Sequence, residues 1–210
     1  MCRLLGGLGK PRYLSEFVKI ARRDSKGKPN PDGWGYAVID SRGQLRVFKT
    51  LYPIWERPTR LPEGIAFLVH ARRAEKLGRS IDHLQPHVCN GVVMAHNGGV
   101  ALPLEAIKDL NLAFRSSSER LACFLGNLVS RLGTERAVNI LSKRIKPTPS
   151  ANFIALVPSE MKFVVYNHHL GDPYHVIWRK GNVFSSEPLG PDWKPMSSNG
   201  EPRWEVLSLR

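Results

Sequence analysis

Two groups of short β-forming runs, separated along the chain by a pair of amphipathic helices, constrain this sequence to a layered α+β domain. The first group covers 35–40, 44–50, 65–71 and 91–96, and the second covers 152–157, 162–167, 175–178 and 182–186. Ser41-Arg42-Gly43, between the first two runs, predicts a hairpin. Between the groups, Leu121, Phe124, Leu125, Leu128, Val129 and Leu132 share one face of a helix predicted over 117–132, with Ser116 and Glu119 at capping-box spacing. A second helix behind Thr134 carries Ala137, Val138, Leu141 and Ile145 to a stop at Pro147, and the two are expected to pack as neighbours. Nearer the start, Leu14, Phe17, Val18 and Ala21 predict one more amphipathic helix, which Gly27 and the prolines after it bring to an end. The Pro-rich stretch 188–202 is expected to pack over the surface through Trp193 and Trp204.

A chain of 210 residues that is 42% hydrophobic can bury a substantial core as one compact domain spanning 1–210. No apolar run approaches the ~20 residues of a membrane helix, and the first ten residues hold no signal-peptide core, so the expected location is cytoplasmic, away from membranes. The net charge of +13 would suit nucleic acid, an acidic membrane or anionic substrates. The 31 Lys and Arg are spread along the chain, however, with one modest cluster at 22–28 and no zinc-finger, helix-turn-helix or ribonucleoprotein motif. They read as solvated surface, and no nucleic-acid partner is expected. Three cysteines without a Cys-x-x-Cys pair are too few for a disulfide framework, so Cys89 and Cys123 are expected as buried structural thiols. His168, His169 and His175, or His83 and His87, bring no cysteine or carboxylate at ligand spacing, and Pro86 breaks any helix aligning the last two. No metal and no cofactor are expected, since the glycines form no phosphate loop either.

The chemistry gathers at run ends. Cys2 follows Met1, and removal of Met1 would give one residue a thiol, titrating near ~8.5, and a free α-amine, titrating near ~8, so that nucleophile and base coincide. Taken alone, Cys2 reads as a cysteine at a frayed terminus that happens to be second. Three further segments accompany it: Asp32-Gly33-Trp34-Gly35, then His70-Ala71-Arg72-Arg73 at the end of one run, then His96-Asn97-Gly98-Gly99 at the end of another. Each has an ordinary explanation as turn or solvated strand end. In this order, and with the late segments 151–156 and 185–189, they resemble the glutaminase domain of the class II glutamine amidotransferases, particularly a stand-alone subgroup beginning Met-Cys-Arg.

That resemblance covers nearly the whole chain and implies a four-layer αββα sandwich, two antiparallel sheets between helical layers. It implies hydrolysis of glutamine or of a γ-glutamyl amide of a small molecule or peptide through a Cys2 thioester, with an ammonia-accepting partner protein as one destination of the leaving group. Asn97 and Gly98 match the oxyanion donors, the glycine allowing close backbone approach. Arg72 matches the residue that binds the substrate α-carboxylate. Arg73 is expected on the opposite strand face, and His70 and His96 as structural. Two positions depart from the family. Ser117 stands where an aspartate binds the substrate ammonium, and Glu75 stands where threonine is usual. Glu75 either replaces the missing aspartate or faces solvent, paired with Lys76 or Arg79. Competing readings are a degenerate member that binds a ligand or partner without glutaminase activity, and a basic nucleic-acid-binding protein.

Overall fold

The computed structural model describes residues 1–57, 60–74, 78–104 and 116–209. Its strands form two sheets in which the neighbouring strands run antiparallel. The elements of the first sheet are β1 (Arg3–Leu8), β2 (Trp34–Ile39), β3 (Leu45–Thr50), β4 (Ala66–Ala71), β9 (Trp178–Lys180), β10 (Val183–Ser185) and β11 (Lys194–Pro195). They lie in the order β11-β9-β10-β1-β4-β2-β3. The second sheet holds β5 (His87–Cys89), β6 (Val92–Ala101), β7 (Lys146–Val157), β8 (Lys162–Asn167) and β12 (Arg203–Ser208), in the order β12-β8-β7-β6-β5. Helix α1 is Leu14–Arg22, α2 is Ser117–Leu132 and α3 is Thr134–Arg144.

Strand alternation builds the layers, because successive side chains point to opposite faces. Leu4, Ala37, Leu68, Ala95, Ile154 and Leu156 meet in the core between the sheets. Their neighbours Leu5, Val38 and Val69 face outward against Phe17 and Ala21 of α1. On the second sheet, Met94, Phe153 and Ala155 face outward against Leu121 and Leu125 of α2 and Ala137, Val138 and Leu141 of α3. The result is the expected four-layer α+β sandwich. The sheets approach closely where β1 carries Gly6, since a Cβ there would lie 2.9 Å from Ile154 Cγ2. Helix α2 has the predicted bounds, with the Ser116 hydroxyl accepting from the Glu119 N–H.

Four sequence expectations are revised. The run at 175–178 is a 3-10 turn, Pro173–His175, leading into β9, because Pro173 fixes the turn and Asp172 caps it from the side chain. Strands β5, β11 and β12 were not expected, and β7 starts six residues before the predicted 152. Trp193 packs edge-on against Tyr13, as expected of the stretch 188–202, but Trp204 belongs to β12. Cys89 and Cys123 are not thiols but a disulfide joining β5 to α2. The two elements press together: a Cβ on Gly126 of α2 would lie 2.6 Å from the Cys89 carbonyl oxygen. Among the described residues no helix is long and apolar enough to cross a membrane.

The protein denatured without reductant should therefore expose one titratable thiol, Cys2, and three after reduction. A count of three before reduction in air-oxidised protein would show that the β5–α2 bridge does not form.

Candidate active site

Cys2 immediately precedes β1, the strand held between β10 and β4 near the middle of its sheet. Register pairs Arg3 with Ala71, the last residue of β4, so Cys2 falls beside the chain leaving β4 at Arg72 and Arg73. The Arg73 N–H points at Cys2 Sγ at 3.4 Å, and Sγ lies 3.6 Å from the Arg73 carbonyl oxygen. The second sheet closes the other side, where β6 presents His96, Asn97 and Gly98. Asn97 Nδ2 donates to the Cys2 carbonyl oxygen at 2.8 Å. Each sheet thus delivers one half of the site.

Gly98 occupies a β-bulge against β7 with φ near +108°, which side chains rarely adopt. A Cβ at this position would lie 2.1 Å from the Ser150 carbonyl oxygen. Only glycine fits.

Cys2, Arg72, Asn97, Gly98 and Ser117 line one cleft of about 770 Å³. Arg73 lines it as well, contrary to the sequence expectation: β4 ends at Ala71, so strand alternation no longer governs where residue 73 points. Glu75 lies outside the described residues. His96 lines the cleft and lies 2.9 Å, through Nδ1, from the Ser118 hydroxyl, linking β6 to the first turn of α2. Burial pushes its pKa down to about 4, so the ring is neutral at pH 7. His70, buried within β4, is driven well below the ordinary histidine range by burial and then by His87 and Arg72. Among the described residues no three His, Cys, Asp or Glu side chains group as a metal site.

The opposite wall is formed by Tyr174 and His175 with Lys26, Lys28, Thr148 and Pro149. Ser150 Oγ lies 3.0 Å from His175 Nδ1 and 3.3 Å from the Asn97 carbonyl oxygen, coupling this wall to β6. Met1 also lies in the cleft, its sulfur 3.9 Å from Ser150 Oγ.

The same architecture is found in known proteins. No family model matches the chain. Gamma-glutamyl-hercynylcysteine sulfoxide hydrolase of Mycolicibacterium smegmatis is 25% identical over 217 residues, covering 91% of this chain and 89% of that protein. Among solved structures, glutamine phosphoribosylpyrophosphate amidotransferase from B. subtilis, complexed with ADP and GMP, matches all of this chain with a TM-score of 0.62 at 18% identity. The fold is that of this solved amidotransferase. The chain spans 49% of the length of that solved amidotransferase.

Within this amidotransferase fold, a buried ion cluster next to the thiol escaped the sequence reading. Arg3, fully buried on β1, places Nη2 2.8 Å from both Asp24 Oδ2 and Glu187 Oε1, with its guanidinium 4.5 Å from the centre of the Tyr174 ring. Asp24 also accepts from the Tyr174 hydroxyl and from the Lys26 and Lys28 N–H groups. Burial raises the Asp24 pKa, but the Tyr174 and Lys28 hydrogen bonds and the Arg3 charge outweigh it and hold the carboxyl below its ordinary value of 3.8. The signal available in the sequence was Arg3 itself, a charged residue inside an otherwise apolar strand.

Arg3→Ala would leave two carboxylates together in the interior and should cost ~3–5 kcal/mol by chemical denaturation at pH 7. A carboxyl whose folded pKa is depressed contributes stability above its unfolded value and loses it as pH falls through the folded value. The gap between wild type and variant should therefore narrow below about pH 3.8. An equal gap at pH 7 and pH 3 would count against this account.

Proposed function

We propose that the chain hydrolyses a γ-glutamyl-type amide through Cys2. One observation carries the reading: Cys2 from one sheet and Asn97 with Gly98 from the other meet in a single cleft that Arg72 also lines. The hydrolase named for the M. smegmatis relative supports it, as does the glutamine amidotransferase named for the solved structure.

With Met1 removed, the Cys2 α-amine accepts the thiol proton, directly or through one water. The sulfur then bonds to the amide carbon while the carbonyl π pair moves onto oxygen. Asn97 Nδ2 carries two N–H groups; one holds the Cys2 carbonyl and the second is available to the oxyanion, beside the Gly98 N–H. The oxyanion collapses, the C–N bond breaks, and the leaving amine takes the proton from the Cys2 ammonium. Water next attacks the thioester, giving its proton to the α-amine and releasing the carboxylate as the C–S bond breaks. The Arg73 N–H, aimed at Sγ, favours the thiolate at both stages. Arg72 holds the substrate α-carboxylate, its planar fork orienting the chain that bears the amide. When the leaving amine is ammonia, it passes to solvent or to an acceptor protein.

Met1 in the cleft is consistent with a requirement for processing, because while it is attached the Cys2 nitrogen is an amide and cannot act as a base. Burial lowers the His175 pKa against the opposing pull of Asp172, helped by Lys26 and His169 and least by the Met1 terminal ammonium.

Intact mass should show active protein without Met1, and Cys2→Ser should abolish turnover of γ-glutamyl amides while leaving the thermal melt unchanged. Asn97→Ala should lower kcat by about 10²–10³. Wild-type turnover by Cys2→Ala would exclude the mechanism.

A further inference from the structure

The ladder between β5 and β6 stops short of the cleft, and a side chain continues it. The register His87↔Met94 and Val88↔Val93 places Gln85 opposite His96, the residue before Asn97. Pro86 offers no N–H, so the main chain cannot carry the pairing on, and β5 begins at His87. The Gln85 side-chain amide takes its place. Its Oε1 accepts from the His96 N–H, and its Nε2 donates to the His96 carbonyl oxygen at 3.0 Å. These are the two bonds that a paired residue of a neighbouring strand would make.

The second N–H of Gln85 Nε2 reaches the Ser118 hydroxyl oxygen at 3.4 Å, and that hydroxyl lies 2.9 Å from His96 Nδ1. Gln85, the main chain and ring of His96, and the first turn of α2 thus close a ring of hydrogen bonds. Gln85 and His96 are buried, although both border the cleft. The amide's oxygen and both its N–H groups are engaged, so Gln85 acts on the site through His96 rather than by touching a substrate. The other edge of β6 is held by β7, but that register slips between Gly98 and Val100. Asn97 therefore has a bulge just after it and the Gln85 clamp just before it.

We infer that Gln85 is a positioning residue of the site: its amide stands in for missing length of β5 and holds β6 where Asn97 reaches Cys2. The contact it maintains is the one that bridges the sheets, Asn97 Nδ2 to the Cys2 carbonyl oxygen at 2.8 Å. Asparagine is a short side chain, so a shift of β6 at His96 is felt directly at Cys2. Without the clamp, a buried N–H and a buried C=O lose their partners, and the strand end moves to find others. For its effect on rate the inference rests on the hydrolase reading above, to which it adds a residue that neither touches the amide nor moves a proton. A misplacement of about 1 Å is enough to cost as much as 10²-fold in turnover.

The test begins with the Met1-free wild-type protein, in which amide hydrogen exchange at His96 should be as slow as at Met94, whose partner is His87 of β5. Gln85→Met then keeps the length and bulk of the side chain and removes both bonding groups. The variant should fold, exchange the His96 N–H faster and move the NMR signals of the Asn97 side-chain amide. On L-glutamine or γ-L-glutamyl-p-nitroanilide it should lower kcat by about 10–100-fold with KM little changed. A side chain that only filled space would be replaced by methionine without loss of rate. Unprotected exchange at His96 in the wild type overturns the inference even if the variant fails to fold. Wild-type kcat with unmoved Asn97 signals in Gln85→Met, or a loss carried by KM alone, overturns it too, and all three results leave the hydrolase reading standing. No turnover of either amide by the wild type, with Cys2 never acylated by mass spectrometry, overturns the hydrolase reading instead, and the His96 exchange and Asn97 signals then decide the positioning by themselves.

Discussion

A guanidinium buried one residue from the thiol is the constraint around which the site is arranged. Arg3 cannot sit in the interior uncompensated, because an unpaired buried charge costs several kcal/mol. Its compensation draws Asp24 from the loop after α1, Glu187 from beyond β10 and Tyr174 from the turn before β9 into one cluster. Each carries part of the cleft with it. Asp24 gathers the Lys26 and Lys28 backbone, Glu187 accepts from Ser25, and Tyr174 brings His175 against Ser150. The thiol's neighbourhood is thereby tied together on the side of its own sheet.

The other side is fixed by geometry rather than charge. Gly98 bulges where Ser150 leaves no space for a side chain, and Asn97 reaches back across the gap between sheets to the Cys2 carbonyl. The His96–Ser118 contact then ties the start of α2 to the same strand. A composition of +13 gives no hint of this placement. Part of that charge is surface, but five of the cations, Lys26, Lys28, Arg72, Arg73 and Arg120, line one cleft.

The layers were legible in the sequence because they depend on local pattern: the apolar runs of β2 and β4, buried on both faces, and the apolar face of α2 with its Ser116 cap are written in neighbouring residues. So were Cys2, Arg72, Asn97, Gly98 and Ser117 as candidates, since their motifs sit at strand ends and at a helix start. The opposite wall was not legible. Its contacts join residues such as Asp24 and Tyr174, 150 positions apart, and no periodicity encodes that. The same holds for Cys89 and Cys123, 34 residues apart on different elements. Disulfides persist in oxidising compartments and inside some hyperthermophiles, so this pairing bears on where the protein works in a way that cysteine count did not. Arg73 escaped for a different reason: alternation was extended past a strand that had already ended.

The contact between Gly6 and Ile154 lies away from the residues that line the cleft, in the seam where the sheets face each other. Because Cys2 and the Asn97–Gly98 pair ride on opposite leaves, the thickness of that seam sets the distance between them. A misplacement of about 1 Å can cost 10²-fold in rate. The hydrophobic residues buried there are in this protein part of the ruler that spaces Cys2 from Asn97.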